Sequence, residues 1–108
     1  MIPLSRAGAP HRVWGERCEG RRLSVIEERM PPGTAGVSHV HMRAWQVFRV
    51  LDGVLTMRTL SGDCGIGPGQ SVEVPPHTRH QAPNDSASPV ASPVISAPST
   101  LNDRRDLP

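Results

Sequence analysis

The chain has 108 residues, of which 36% are hydrophobic and 20% charged, and a formal net charge of +2 at pH 7. That length accommodates one compact domain and leaves no material for a second catalytic one, while the apolar content is above that of a fully disordered chain. The basic residues are arginines spread along the sequence, and neither Arg21 and Arg22 nor Arg104 and Arg105 has an aromatic platform beside it, so these pairs read as solvated surface or tail charge and no nucleic-acid partner is expected.

Aromatic content is low, with only Trp14, Trp45 and Phe48, so the core must be filled by Val, Leu, Ile and Met. Cys18 and Cys64 stand far apart with no CxxC arrangement, which argues against a zinc knuckle or a dithiol redox motif. No apolar run reaches the length of a membrane span or a signal-peptide core, so no membrane partner is expected and the expected location is cytoplasmic.

Residues 1–22 are rich in Gly, Pro and isolated polar residues and read as an N-terminal arm. Trp14 is its obvious anchor, His11 belongs to it rather than to a site, and the arm could cover the domain or cross to a partner subunit. From Leu23 the segment LSVIEER alternates as a strand does, until Pro31, Pro32 and Gly33 force a loop. VSHVH follows, and its His39 and His41 stand at i and i+2, where side chains on a strand return to the same face. In WQVFRVL an extended backbone puts Gln46, Phe48 and Val50 on one face and Val47, Arg49 and Leu51 on the other.

Asp52 and Gly53 form a hairpin signal, VLTMRTL continues as a strand, and SGDCGIGPG reads as a turn-rich stretch. QSVEVPP alternates again before HTRHQAPN brings in His77, His80 and Asn84. A final strand is expected around Val90, Val94 and Ile95, with Pro93 arguing for an edge position or a bulge. The single domain thus spans 23–98, and 99–108 reads as a polar C-terminal tail. Short strands punctuated by turns favour an all-β fold, a small β-barrel or jelly roll.

Neutral imidazole is a ligand for divalent iron, nickel, copper or zinc near neutral pH. His39, His41 and a third histidine, His80, aimed at one point by strands of a small barrel therefore read as a metal pocket.

Two ordered patterns carry a family resemblance. Gly33, His39, His41, Gln46 and Gly53 line up with the first motif of the cupin superfamily, in which a glycine, an HxH pair, a glutamate and a closing glycine follow one another. Gly69, Pro75, His80 and Asn84 line up with the second. Over roughly residues 23–98 the chain resembles small single-domain cupins of the RmlC-like type. The resemblance implies a cupin jelly roll, one divalent metal ion per chain (Fe, Mn, Ni, Zn or Cu), His39, His41 and His80 on ligand positions, and a homodimer paired through sheet edges or exchanged arms.

Two departures stand out. Gln46 replaces the usual glutamate, so a bound divalent ion leaves the ligand shell at about +2 instead of about +1, which weakens metal affinity and favours an anionic ligand. Its amide oxygen could coordinate directly, or the side chain could hold a water or substrate. His77 occupies the place of a turn glycine, where a side chain is strained; it is expected at the pocket rim or on the surface rather than as a fourth ligand.

Phe48 and Val50 are expected on the pocket face, with core packing as the plainer alternative, and Arg43, Trp45 and Arg79 at the rim. Asn84 is expected to fasten a turn through its amide. The favoured function is a mononuclear metal enzyme acting on a small organic molecule, either neutral or anionic, by dioxygenase, isomerase, lyase or decarboxylase chemistry. The rivals are a noncatalytic small-ligand-binding or sensing cupin and an accessory role through dimerisation. No carboxylate base is apparent inside the pocket, and the catalytic residues are not identified.

Overall fold

Alternation of apolar and polar residues over 24–30, 45–49 and 90–97 gives these segments one face for a core, and the described elements are strands. The structure, a computed structural model, describes residues 22–100 and 103–108, together with the strand backbones over 2–6 and 13–19. In chain order the strands are β1 (Ile2–Arg6), β2 (Val13–Glu19), β3 (Ser24–Met30), β4 (His39–His41), β5 (Trp45–Arg49) and β6 (Leu55–Thr59). There follow β7 (Gly62–Ile66), β8 (Ser71–Val74), β9 (His80–Gln81), β10 (Val90–Ala97) and β11 (Arg104–Asp106). All pairings are antiparallel; one sheet has the order β1-β2-β3-β10-β5-β8 and the other β11-β4-β9-β6-β7. The fold is an all-β jelly roll, with no helix among the described residues.

The core lies between the sheets. Met30, Phe48, Val50, Leu55, Met57 and Val94, all buried, form its centre, and each such side chain contributes roughly 1.5–3 kcal/mol by leaving water. Gln46, Phe48 and Val50 do share the buried face of the β5 segment, while Arg49 and Leu51 are exposed.

Two turns show why the motif residues are needed. Gly53 has φ +80°, and a Cβ there would lie 2.3 Å from the Pro89 carbonyl oxygen, so only glycine fits. Asn84 is fully buried; its amide nitrogen donates to the carbonyls of Met30 at 2.9 Å and Ser88 at 2.8 Å, and its oxygen accepts from the Ser86 hydroxyl at 2.7 Å. It ties the end of β3 to the loop before β10.

Several elements differ from the sequence expectation. The stretch expected to be turn-rich contains β7, an edge strand with only Ile66 buried and hence no readable alternation. β10, expected at an edge or a bulge because of Pro93, runs between β3 and β5. The edge position is thus replaced by an interior one, but pairing with the β5 segment is regular only up to Val94 opposite Phe48 and resumes one residue out of step at Ala91 opposite Asp52. Pro93 therefore sits beside the irregularity its missing N–H suggests, and the Ser92 hydroxyl donates to the Arg49 carbonyl at 3.0 Å.

Residues 2–6 and 13–19 of the N-terminal arm run as strands that extend the six-stranded sheet from β3. The side-chain roles expected for His11 and Trp14, and the side chain of Cys18, lie outside the described residues. In the stretch expected to be a polar tail, Asp103 is buried and β11 pairs with β4.

Candidate metal centre

β4 and β9 are neighbours, and their pairing sets His39 directly opposite His80. Because His41 returns to the same face as His39, all three imidazoles project from one side of the five-stranded sheet into the interior, with 6%, 5% and 1% of their surface exposed for His39, His41 and His80 respectively. One ring nitrogen from each lies within 4.8 Å of the others. The ring centroids are 4.3 Å apart for His39 and His80, 5.0 Å for His39 and His41, and 5.8 Å for His41 and His80.

The backbone selects the tautomers of two of the three. Nδ1 of His39 is 2.7 Å from the Val37 carbonyl and Nδ1 of His80 is 2.9 Å from that of Thr78. A carbonyl only accepts, so both Nδ1 atoms donate and both rings carry their lone pair on Nε2. This arrangement orients metal-binding imidazoles. Burial is the main cause that lowers the His39 pKa to about 3; the charges of His80, Arg104 and His41 add to it, and the Val37 hydrogen bond opposes it. Burial likewise leads in lowering His41 to about 4, with His80 and Arg104 assisting and Asp103 opposing. His39 and His41 are thus presented as neutral donors near pH 7, as coordination requires.

The six-stranded sheet faces this cluster with a polar row. Strand register aligns Gln46 with Ser96 and Ser96 with Ser24, all three buried on the inner face. Gln46 Nε2 donates to Ser96 Oγ at 3.2 Å, whereas Gln46 Oε1 and Ser24 Oγ have no hydrogen-bond partner, and neither does Nδ1 of His41. A buried oxygen left unmatched is costly, and with the amide nitrogen already engaged it is the oxygen of Gln46 that a metal or ligand would meet. The three imidazoles thus fit a single divalent ion, and the Gln46 amide oxygen is left without a hydrogen-bond partner in the same interior.

The other expected site residues are distributed as follows. Phe48 borders the cluster, its ring centroid 6.2 Å from that of His80, whereas Val50 is fully buried in the core. His77 is exposed and holds φ +62°, a left-handed backbone that its side chain strains, while its N–H donates to the His41 carbonyl at 2.8 Å. Trp45 is half exposed on the face of β5 opposite to Gln46. Arg79, with parity opposite to His80, lies in a groove of about 370 Å³ with Ser38, Arg58, Thr59, Leu60 and Gln81, and donates to the Ser38 hydroxyl and the Pro108 carbonyl. Glu73 is exposed.

Arg43 is anchored by a residue that the sequence did not single out. The buried Asp103 accepts from the backbone N–H groups of Arg43 at 3.1 Å and Ala44 at 2.9 Å and from Nε of Arg43 at 3.3 Å. Desolvation pushes the Asp103 carboxyl upward, but these donors outweigh it and hold the group below its ordinary range. A second unexpected carboxylate, Glu28, is buried on the inner face of β3. It stands four residues from Ser24, roughly 13 Å along the strand, too far for a role beside Gln46.

Residues 26–95 match the family model of the Cupin domain. The chain belongs to the cupin family. Solved structures agree with this cupin's architecture. An uncharacterized conserved protein with a double-stranded β-helix domain from Klebsiella pneumoniae superposes with a TM-score of 0.81 at 18% identity, covering 96% of this chain and 90% of that one. TT1209 from Thermus thermophilus gives 0.77 at 26% identity, with 88% and 90% covered. A sugar phosphate isomerase of the cupin superfamily from Silicibacter pomeroyi gives 0.70 at 20% identity, with 92% and 68% covered. No curated protein matches the sequence.

Proposed function

We propose that this cupin is a mononuclear metal-dependent enzyme acting on a small anionic organic molecule. The observation that carries the reading is the convergence of three buried imidazoles, with ligand atoms within 4.8 Å of one another, on one side of the interior. The unpartnered amide oxygen of Gln46 on the inner face of the other sheet adds to it. A bound divalent ion supplies Lewis-acid polarisation of a substrate oxygen or, if redox-active, dioxygen chemistry. His39, His41 and His80 hold the ion, and Gln46 fills or tunes the remaining shell. Because none of these four is anionic, the positive charge of the ion is left to an anionic substrate.

The polar row of Ser24 and Ser96 offers hydroxyl groups to the part of the substrate lying away from the ion, and Phe48 closes the apolar side. Dioxygenase, isomerase, lyase and decarboxylase chemistry all remain compatible with this donor set. The isomerase with the same fold supports catalysis as one use of such a scaffold, while the uncharged donor set here supports the anionic preference. A homodimer belongs to the same proposal, supported by Trp45 and Ile95, 50% and 38% exposed, on the outer face of the six-stranded sheet.

Elemental analysis of untagged protein, compared with His39→Ala, tests the proposal. One divalent ion per chain in the wild type, lost in the variant, and metal-dependent turnover of a small carboxylate are the expected results. Failure to take up metal even after anaerobic reconstitution would overturn the reading in favour of a metal-free binding protein.

A further inference from the structure

The strand β11 places two charged residues where the sequence showed only a tail. Its register with β4 sets Arg104 opposite His41 and Asp106 opposite His39. Directly opposed residues of an antiparallel pair project from the same side of the sheet, with Cβ atoms roughly 5 Å apart. Arg104 and Asp106 therefore stand on the side of the imidazoles, at the edge of the sheet, whereas Arg105 shares the outer side with Val40. The positive charge of Arg104 is felt by both His39 and His41.

The guanidinium is held and yet available. Its Nε donates to Asp106 Oδ1 at 2.7 Å, and its two terminal nitrogens have no other partner among the described residues. The Arg104 side chain is 41% exposed, so a ligand arriving from solvent can reach it. A fork of N–H donors fixed by one carboxylate and open at its other end is suited to planar recognition of a second carboxylate.

We infer that Arg104 is a specificity-determining residue that takes a carboxylate of the ligand at the mouth of the histidine cluster, with Asp106 as the positioning residue that aims it. The inference rests on the metal-site reading above and adds a ligand class to it: small carboxylates, with one group directed to the ion and one to the guanidinium. Arg58, by contrast, already meets two carboxylates, Asp63 at 3.2 Å and Asp85 at 3.1 Å, which offset its positive charge.

The test uses the full chain loaded with cobalt(II), whose visible spectrum reports ligands entering the shell, and two probes: oxalate as the dicarboxylate and imidazole as a neutral donor. Wild-type protein is expected to bind both. Arg104→Gln should weaken oxalate at least about tenfold, the scale of a lost charge-assisted hydrogen bond, while leaving cobalt uptake and imidazole binding intact. Arg104→Lys should restore part of the loss, and Asp106→Asn should weaken oxalate less than Arg104→Gln. Unchanged oxalate affinity in Arg104→Gln, an equal loss for imidazole, or no oxalate binding by cobalt-loaded wild type would overturn the inference. Wild-type protein that takes up no cobalt would instead overturn the metal-site reading on which it rests.

Discussion

At the scale of single residues, the substitution of an amide for the family's usual carboxylate decides the electrostatics of the site, and a serine decides how that amide is turned. Gln46 Nε2 is engaged by Ser96 Oγ at 3.2 Å, which leaves Oε1 as the atom presented to the interior. Removing a group that orients a metal ligand typically costs 10–100-fold in affinity. Ser96→Ala should therefore weaken metal binding about tenfold, read by competition with a chromophoric chelator, with little change in thermal stability because the side chain is small. If Ser96→Ala retains wild-type affinity while Gln46→Ala loses it, the amide needs no such support; if neither changes affinity, Gln46 does not act as a donor.

At the scale of elements, the segment 103–108 fastens the strand that carries two of the three histidines. Asp103 receives the N–H groups of Arg43 and Ala44 just beyond β4, and β11 covers the edge of β4 that β9 does not. Asp103→Ala strands two backbone donors, one of them on the fully enclosed Ala44. The expected loss is about 1–3 kcal/mol of stability, measurable by urea denaturation, together with weaker metal binding through displacement of His41.

The carboxyl of Asp103 lies below its ordinary range when folded. Its contribution is therefore complete above the unfolded carboxyl pKa and disappears as pH falls through the lower folded value, and Asp103→Asn should flatten that part of the acid-stability curve. This strap was not legible in the sequence. β3 and β5 announce themselves by apolar alternation, and the HxH pair and His80 announce themselves by spacing. β11 is wholly exposed and charged, so its partner is specified by a long-range edge pairing that leaves no periodic signal. The site was legible where one strand carried its ligands and illegible where a distant edge strand completed its rim.

At the scale of the whole molecule, the fold stores an acid sensitivity that a metal should amplify. In the unfolded chain histidines titrate near 6.5, whereas in the folded chain His39 and His41 titrate near about 3 and about 4. Between those values the unfolded state binds protons that the folded state refuses, so stability rises with pH. The metal-free protein should hold its full stability above pH 6.5 and lose it as pH falls towards about 4, by up to about 1.4 kcal/mol per pH unit for each histidine. Metal at about 100 times its dissociation constant adds roughly 2.7 kcal/mol near neutrality. Because the ion requires the same neutral imidazoles, that increment should also shrink on acidification. Thermal melts across pH 4–8, with metal and with chelator, check both slopes. Two curves that stay parallel down to pH 4 would mean that the ion is held by groups other than these histidines, since only ligands competing with protons can make the metal increment depend on pH.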